Sequence, residues 1–148
     1  MTEQEAYQRL AALCARSEHC EWEMTEKMKR WQVDPSLWQV VTDRLKKERY
    51  IDDERYTRAF VKDKTVYNRW GRRKVEQALR QKHISDDIQE RVLSEVDDDT
   101  YLAALRPLLE QKRRQTHAAS DFELKQKLVR FALGRGYTYD IIGKCIEL

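Results

Sequence analysis

The chain has 148 residues, of which 37% are charged and 41% hydrophobic, with only 4 glycines and 2 prolines. Such a balance favours long amphipathic helices and excludes a β-sandwich, whose many turns require frequent Gly and Pro. The net charge is only +3, which excludes a polycation, so any contact with nucleic acid must come from local segregation of charge.

The apolar pattern divides the chain into three predicted units of three helices, at residues 1–50, 51–97 and 98–148. The first helix of each unit has apolar residues at i, i+3 and i+4, the spacing of a helix with one buried stripe. They are Tyr7, Leu10 and Ala11, then Tyr56, Ala59 and Phe60, then Tyr101, Ala104 and Leu105. Pro107 lies in the third of these helices and is expected to kink or split it.

The second and third helices of each unit also repeat. Five apolar positions of the second unit recur 51 residues earlier and 53 residues later. The sets are Met24, Met28, Val33, Leu37 and Val41; Val75, Leu79, Ile84, Ile88 and Val92; and Leu128, Ala132, Tyr137, Ile141 and Cys145. Units this small bury little core alone, so neighbours must stack. We therefore predict an all-α protein without a β-sheet, built from three tandem three-helix repeats stacked into an elongated, curved array.

The connection between the second and third helices of each unit has its own signals. Three residues at equivalent positions are good N-caps for the third helix. These are Asp34, which Pro35 follows in the first turn, Ser85 and Thr138. Two residues before each cap, a residue in the left-handed conformation is expected to end the preceding helix. These residues are Gln32, His83 and Gly136.

Charge is strongly segregated in the second unit. From Lys62 to Lys82 there are eight basic and two acidic residues, a net +6, whereas residues 86–99 have one basic and seven acidic residues, a net −6. Basic side chains beside aromatic ones can stack while they contact phosphates or carboxylates. The candidate partner-binding or DNA-binding residues are Arg55, Arg58, Lys62, Lys64, Arg69, Trp70, Arg72, Arg73, Lys74 and Arg80, with a second basic run at Lys112, Arg113 and Arg114.

Helical projection indicates which of these charges face a partner. In the helix that starts near Gly71, the predicted buried side is Val75, Ala78 and Leu79, and the opposite side is Arg73, Gln77 and Arg80. In the preceding helix, the predicted buried side is Tyr56, Ala59, Phe60 and Tyr67, and the exposed flank is Arg55, Arg58 and Lys62. The alternative is a solvated face on which Glu76 pairs with Arg72 and Arg80 at i, i+4 spacing.

Sequence motifs for catalysis or metal binding are not found. There is no phosphate loop, dinucleotide fingerprint, nucleophile elbow or HExxH motif. The three cysteines form no CxxC pair, which argues against a disulfide framework and a structural zinc site. The carboxylates at 52–53 and 97–99 are expected to cap helices rather than bind a metal. We therefore expect no enzymatic activity, cofactor or metal.

The sequence also bears on location. The first ten residues contain no apolar stretch of the kind found in signal peptides. No run approaches the ~20 apolar residues that a membrane span requires. We therefore expect a soluble cytoplasmic protein that does not associate with membranes.

Residues 49–85 carry a specific motif pattern. A Tyr-[Leu/Ile]-[Asp/Asn]-Asp motif precedes an aromatic helix that ends in Phe, and a G-x-x-[KR]-[IV]-x-x-x-L stretch follows. The matching residues are Tyr50, Ile51, Asp52, Asp53, Phe60, Gly71, Lys74, Val75, Leu79 and Ile84. This segment resembles the central signature of the RecX family of bacterial RecA modulators. The family usually has glycine where this chain has His83, and the first unit diverges most.

The resemblance implies a regulator of the RecA recombinase. Such a regulator binds RecA and the RecA–single-stranded-DNA filament along the filament groove, and contacts DNA in its own right. It modulates recombinase activity in DNA repair and the SOS response, and inhibition is the family expectation. RecA, and not this chain, would supply the ATP chemistry. We expect the chain to be a monomer.

Two other functions remain open. In a stand-alone helix-turn-helix DNA-binding protein, Arg72 and Arg73 would read bases from the start of a recognition helix. In a helical protein–protein adaptor, DNA would have no role. The unit occurs three times but only the second is strongly basic, which disfavours the stand-alone DNA-binding protein. Binding to DNA alone, to RecA alone and to the filament separates the three functions.

Overall fold

The computed structural model describes residues 1–147. Over that range all regular secondary structure is helical, and no strand occurs. The α-helices are α1 (Glu3–Arg16), α2 (Glu21–Arg30), α3 (Trp38–Lys47), α4 (Asp53–Lys62), α5 (Arg72–Gln81), α6 (Asp86–Leu93), α7 (Asp98–Gln115), α8 (Asp121–Gly134) and α9 (Tyr139–Gly143). A 3-10 turn (Pro35–Leu37) leads into α3, and a π-helical turn (Asp63–Tyr67) extends α4. No helix of residues 1–147 is long and apolar enough to cross a bilayer.

Each successive group of three helices has its own hydrophobic core, which confirms the predicted array of three-helix repeats. We call α1–α3 the first unit, α4–α6 the second and α7–α9 the third. The largest fully buried core side chains include Leu10, Met24 and Leu45 in the first unit, Leu79 and Leu93 in the second, and Leu105, Leu128 and Tyr137 in the third. Twelve of the fifteen predicted repeat positions are buried, and Leu37, Ile88 and Cys145 are half-buried.

The turn between the second and third helices has the same geometry in all three units. The predicted left-handed residues are confirmed, with φ of 57° at Gln32 and His83 and 95° at Gly136. The residue after each one donates its N–H to the carbonyl five positions earlier, which closes the preceding helix. The predicted caps are confirmed as well: Asp34, Ser85 and Thr138 each accept a main-chain N–H of the next turn.

The buried face of α4 differs from the prediction. Ala59 and Tyr67 are exposed, Tyr67 by 74%, whereas Thr57 and Thr65 are buried. Each threonine hydroxyl donates to the main-chain carbonyl four residues earlier, at 2.6 and 2.7 Å. Because these hydroxyls are satisfied within the helix, they enter the core at little cost. The prediction is thus correct for Tyr56, which is buried, and in part for Phe60, which is half-buried, but wrong for Ala59 and Tyr67.

Pro107 does not split α7, so that part of the prediction is wrong. The helix runs through it from Asp98 to Gln115. Buried residues occur on both sides of the proline, with Leu105 before it and Leu109 after it. Packing of this face holds the helix together although proline cannot donate the usual main-chain hydrogen bond.

Neighbouring units meet through equivalent surfaces. In each junction, the residues around the start of the second helix of one unit contact the turn between the second and third helices of the next. Trp22 at the start of α2 stacks on His83, with ring centroids 5.3 Å apart. At the start of α5, the Gly71 N–H donates to the Arg135 carbonyl at 2.8 Å. Within residues 1–147, no hydrogen bond or ion pair joins the first unit to the third, as expected for units in series.

Candidate partner-binding site

Helix α5 presents its predicted basic face to solvent. Val75 and Leu79 are fully buried, and the three residues predicted to lie opposite them are exposed, namely Arg73, Gln77 and Arg80. The predicted pair between Glu76 and Arg80 does not form. Glu76 instead accepts a hydrogen bond from the Arg72 guanidinium at 2.6 Å. Arg80 consequently has no carboxylate partner within residues 1–147.

Trp70 brings two lysines of the predicted site together. The Lys64 ammonium lies 5.1 Å from the centre of the Trp70 ring, and that of Lys74 lies 4.6 Å from it. These two lysines come from the π-helical turn and from α5, ten residues apart. Cation–π attraction to one ring stabilises this concentration of charge.

Arg69 is held by the third unit through its main chain. Its φ of 56° lies in the left-handed region, which costs an arginine of the order of 1 kcal/mol. Its carbonyl accepts hydrogen bonds from the Arg135 guanidinium, at 3.1 and 3.2 Å, and from the Tyr137 hydroxyl at 2.9 Å. These bonds fix the backbone, while the exposed Arg69 side chain has no carboxylate partner within residues 1–147.

The contacts of Arg135 and Tyr137 were not predicted. The available signal was the shift of 53 residues, which aligns Lys82 with Arg135 and His83 with Gly136. In both junctions these are the residues that meet the preceding unit. Reading the repeat for junction positions as well as for core positions would have identified them.

Two arginines of α4 are engaged by carboxylates. Arg55 pairs with Glu18 of the first unit at 2.8 Å. Arg58 pairs with Glu95 and with Glu54, both at 2.8 Å. The hydrogen bonds that the Arg58 guanidinium donates to Glu95 and Glu54 raise the pKa of Arg58 above its ordinary value. The structure thus places both predicted residues on the surface, but with their charge largely compensated.

The second basic run lies at the end of α7. Arg114 pairs with Glu110 at 3.4 Å, and the Lys112 ammonium lies 5.2 Å from the Phe131 ring. Arg113 is exposed and has no carboxylate partner within the described chain. No hydrogen bond or aromatic contact among residues 1–147 links this run to α5, so the structure does not merge the two candidate regions.

Five basic residues of the second unit remain available to a partner. Of the eight basic residues from Lys62 to Lys82, Lys64, Arg72 and Lys82 have carboxylate partners. The other five define what we call the central basic surface: Lys62, Arg69, Arg73, Lys74 and Arg80. Four of them lie at the junction with the third unit or along α5, so this surface sits on a rigid framework rather than on a mobile loop.

The described chain shows no arrangement suited to catalysis by a metal. No group of three His, Cys, Asp or Glu side chains among residues 1–147 is placed to bind an ion. The cysteines are buried or half-buried, and burial raises the pKa of the Cys20 thiol to about 12. A thiol with so high a pKa is a poor nucleophile at neutral pH.

Family comparisons agree with this architecture. Residues 52–93 match the second three-helix domain of RecX, and residues 99–146 match the third. The chain is 34% identical over 107 residues to the regulatory protein RecX of Clostridium botulinum strain Eklund 17B, covering 71% of this chain and 50% of the relative. It is 28% identical over 134 residues to that of Clostridium acetobutylicum, covering 86% and 60%. The chain thus spans about half the length of the curated relatives it matches.

Two solved structures share the fold. A crystal structure of regulatory protein RecX superposes with a TM-score of 0.90 at 17% identity, covering 97% of this chain and 72% of the other. RecX from Lactobacillus salivarius superposes with a TM-score of 0.88 at 20% identity, covering 98% and 94%. The two domain matches together cover more than half of the sequence, and the three-unit fold agrees with them. The chain therefore belongs to the RecX family.

Proposed function

We propose that this chain is a regulator that binds RecA and the RecA–single-stranded-DNA filament and inhibits recombinase activity. Its relatives carry the name regulatory protein RecX. The observation that carries the proposal is the central basic surface. Its five cations have no carboxylate partner within residues 1–147, and the third unit holds its main chain at Arg69 and Arg73 by hydrogen bonds. Such a surface favours a polyanionic partner, and phosphates or acidic RecA side chains both qualify.

The mechanism is a shift between states of the filament. A ligand moves an equilibrium only if it binds the two states with different affinity. The chain therefore binds the ATP-loaded filament and free RecA with different affinities, and any change in ATP hydrolysis follows its occupancy on the filament. RecA supplies the catalysis, and this chain acts as a monomer in the cytoplasm without enzymatic activity of its own.

The stand-alone helix-turn-helix function is less favoured by the geometry. A recognition helix needs a free N-terminal end to approach bases. At the start of α5, the Gly71 and Arg73 N–H groups donate to the carbonyls of Arg135 and Gly136 at 2.8 and 2.9 Å. Because the third unit covers this end and Glu76 binds Arg72, direct base reading by α5 is not proposed.

The test uses a triple variant in which Arg69, Arg73 and Arg80 are replaced by Ala. Helicity by circular dichroism should stay unchanged, because all three side chains are exposed. Filament affinity should fall at least tenfold at low salt, because each removed charge should cost about 0.5–1 kcal/mol or more of binding free energy. If phosphates are the target, the slope of log affinity against log salt should decrease by about 2.

The control variant replaces Arg16, Arg30 and Lys47 by Ala. These exposed residues of the first unit also lack carboxylate partners within residues 1–147, so the change in net charge is the same. An equal loss of affinity in both variants, or none in either, refutes the assignment. A loss with an unchanged salt slope places RecA side chains rather than phosphates opposite the surface. Equally tight binding to DNA alone would support the stand-alone DNA-binding function.

A further inference from the structure

The third unit has an exposed apolar groove along α8. Phe122 is 70% exposed, and Val129 and Leu133 are half-buried beside it. Together with Gln126 they line a groove of about 500 Å³. A large aromatic side chain this exposed contributes little to the core of its own unit.

The repeat itself does not require these apolar residues. Val129 and Leu133 occupy positions that are polar in the other two units. The equivalent residues are Glu76 and Arg80 in the second unit and Thr25 and Lys29 in the first. The apolar character is thus specific to α8. Val129 and Leu133 pack partly against the core of the third unit, and their remaining apolar surface, with that of Phe122, is available for a contact outside the unit.

The groove has the geometry of a helix-packing seam. Its residues at 122, 126, 129 and 133 follow a 4-3-4 spacing, which aligns them along one face of α8. They span twelve residues, and the eleven steps from the first to the last cover roughly 16 Å of helix at 1.5 Å per step. A partner helix of about three turns matches this length.

Basic side chains border the seam on both flanks. At 100° per residue, Lys125 and Arg130 project on opposite sides of it. Lys125 has a long 3.6 Å contact with Asp121, and Arg130 has no carboxylate partner within residues 1–147. Glu123, two helical turns before Arg130 on the same flank, is already bound by Lys127 at 3.1 Å. Among residues 1–147, the one carboxylate that lines the groove is that of Glu147.

This charge pattern argues against a second copy of the chain as the occupant. In an antiparallel two-fold pair of α8 helices, each flank faces the same flank of the other copy, and in a parallel pair the two flanks face each other. Either arrangement sets Lys125 and Arg130 against basic groups. Like charges in such positions are destabilising.

We propose that the α8 groove binds an amphipathic helix of a partner protein whose apolar stripe is bordered by carboxylates. The apolar stripe fills the groove between Phe122 and Leu133, and the acidic borders face Lys125 and Arg130. This site does not include any residue of the central basic surface. The proposal can therefore be tested separately from filament binding.

The probe is a fluorescent synthetic helical peptide with leucines at 4-3-4 spacing and glutamates at the flanking positions. Its matched partner has lysines at the same flanks. With the full chain, the glutamate peptide should bind saturably and the lysine peptide should bind more weakly. Phe122→Ser should weaken the glutamate peptide about tenfold through lost apolar burial. Val40→Ser, at a 48% exposed apolar residue of the first unit, should leave binding unchanged.

Charge reversal gives a second, sharper readout. Arg130→Glu should weaken the glutamate peptide and strengthen the lysine peptide, each about threefold, as for an exposed ion pair. No saturable peptide binding, or equal binding by Phe122→Ser, overturns the proposal. A third outcome also overturns it: the chain binds vesicles of phosphatidylcholine and phosphatidylglycerol, Phe122→Ser loses this binding, and the two peptides bind equally well. The groove would then bind a membrane surface and not a partner helix. Dimerisation lost in Phe122→Ser would identify a second copy and overturn it likewise.

Discussion

At the scale of single residues, glycine decides how closely the second and third units approach. A Cβ at Gly71 would lie 2.2 Å from the Tyr137 main-chain nitrogen and 2.3 Å from the Gly136 carbonyl carbon. These are main-chain atoms, so no side-chain rotation can relieve the overlap. Gly71→Ala should therefore lower the free energy of unfolding by about 3 kcal/mol, at the upper end for overpacking, as measured by urea denaturation.

Gly134 provides the matched control for this substitution. It lies in the last turn of α8, and a Cβ there meets nothing within 4 Å. Gly134→Ala should leave stability unchanged or raise it by up to about 1 kcal/mol, since alanine is the better helix former. Equal effects of the two substitutions would contradict the proposed role of the close approach at Gly71.

The left-handed residues give a second prediction at this scale. Gln32 and His83 share a φ of 57°, a conformation that glycine adopts without the penalty of a Cβ. Gln32→Gly should raise the free energy of unfolding by about 1 kcal/mol. His83→Gly should gain less, because it also removes the ring that stacks on Trp22. Thermal denaturation of both variants would show the difference, and a larger gain at His83 would contradict the importance of the stacking.

At the scale of elements, the junction of α2 with α5 depends on the ionisation of Glu23. Burial alone would raise its pKa, but the Cys20 N–H and the Lys82 ammonium, at 3.1 Å each, outweigh burial and hold the pKa below 4.5. A carboxylate with a lowered pKa contributes stability that is present above its unfolded pKa and lost as the pH falls through the folded one.

Glu23→Gln should therefore reduce stability by about 1 kcal/mol at pH 7, a value discounted for partial exposure. The difference between wild type and variant should shrink as the pH falls below 4.5. Asp53, whose pKa burial raises, titrates in both proteins, so the comparison isolates Glu23. Urea denaturation at several pH values measures the effect, and a difference that does not depend on pH would refute it.

The elements also show which features a sequence can predict. The buried positions Val75 and Leu79, and the equivalent positions in the other units, could be predicted from apolar periodicity, because burial directly favours apolar residue types. Thr57 and Thr65 were missed, since their hydroxyls are satisfied by the main chain of their own helix. The left-handed turns were found at Gln32 and His83 because the repeat aligns them with Gly136.

The candidate site was predictable only in part. Helical projection of α5 correctly predicted that Arg73 and Arg80 are exposed, because the position of a residue around the helix axis determines its exposure. It could not foresee that Arg55 and Arg58 pair with carboxylates 37 residues away, or that the Arg69 carbonyl is bound by Arg135, 66 residues along the chain. Such contacts depend on how the units pack against each other. Every residue has a main-chain carbonyl, so the residue type does not indicate which carbonyl accepts a hydrogen bond.

At the scale of the whole molecule, the units are coupled in series. The first unit contacts the second through Glu18, Trp22 and Glu23, and the second contacts the third through Arg69 and Gly71. Stability of such an array is the sum of the stabilities of its units and of the interfaces between neighbours. A local defect should therefore act most strongly on its own unit and decay along the chain.

Leu128→Ala tests this coupling from the third unit. Leu128 is fully buried, and its truncation should cost about 2–5 kcal/mol. Native-state hydrogen exchange should show the largest drop in opening free energy in α8 and α9, a smaller drop in α5 and the smallest in α1–α3. Met28→Ala, at the fully buried equivalent of Ala132 in the first unit, should give the mirror-image gradient.

A uniform drop across all three units in both variants would mean that the chain opens as one cooperative body. In that case the junctions would be as strong as the cores, and substitutions at Gly71 or Glu23 should then lower the opening free energy equally in all three units. A gradient would instead mean that the second unit, which has both junctions, is the most protected part of the array. The central basic surface would then be presented by the segment that opens least, which favours affinity because little order has to be gained on binding.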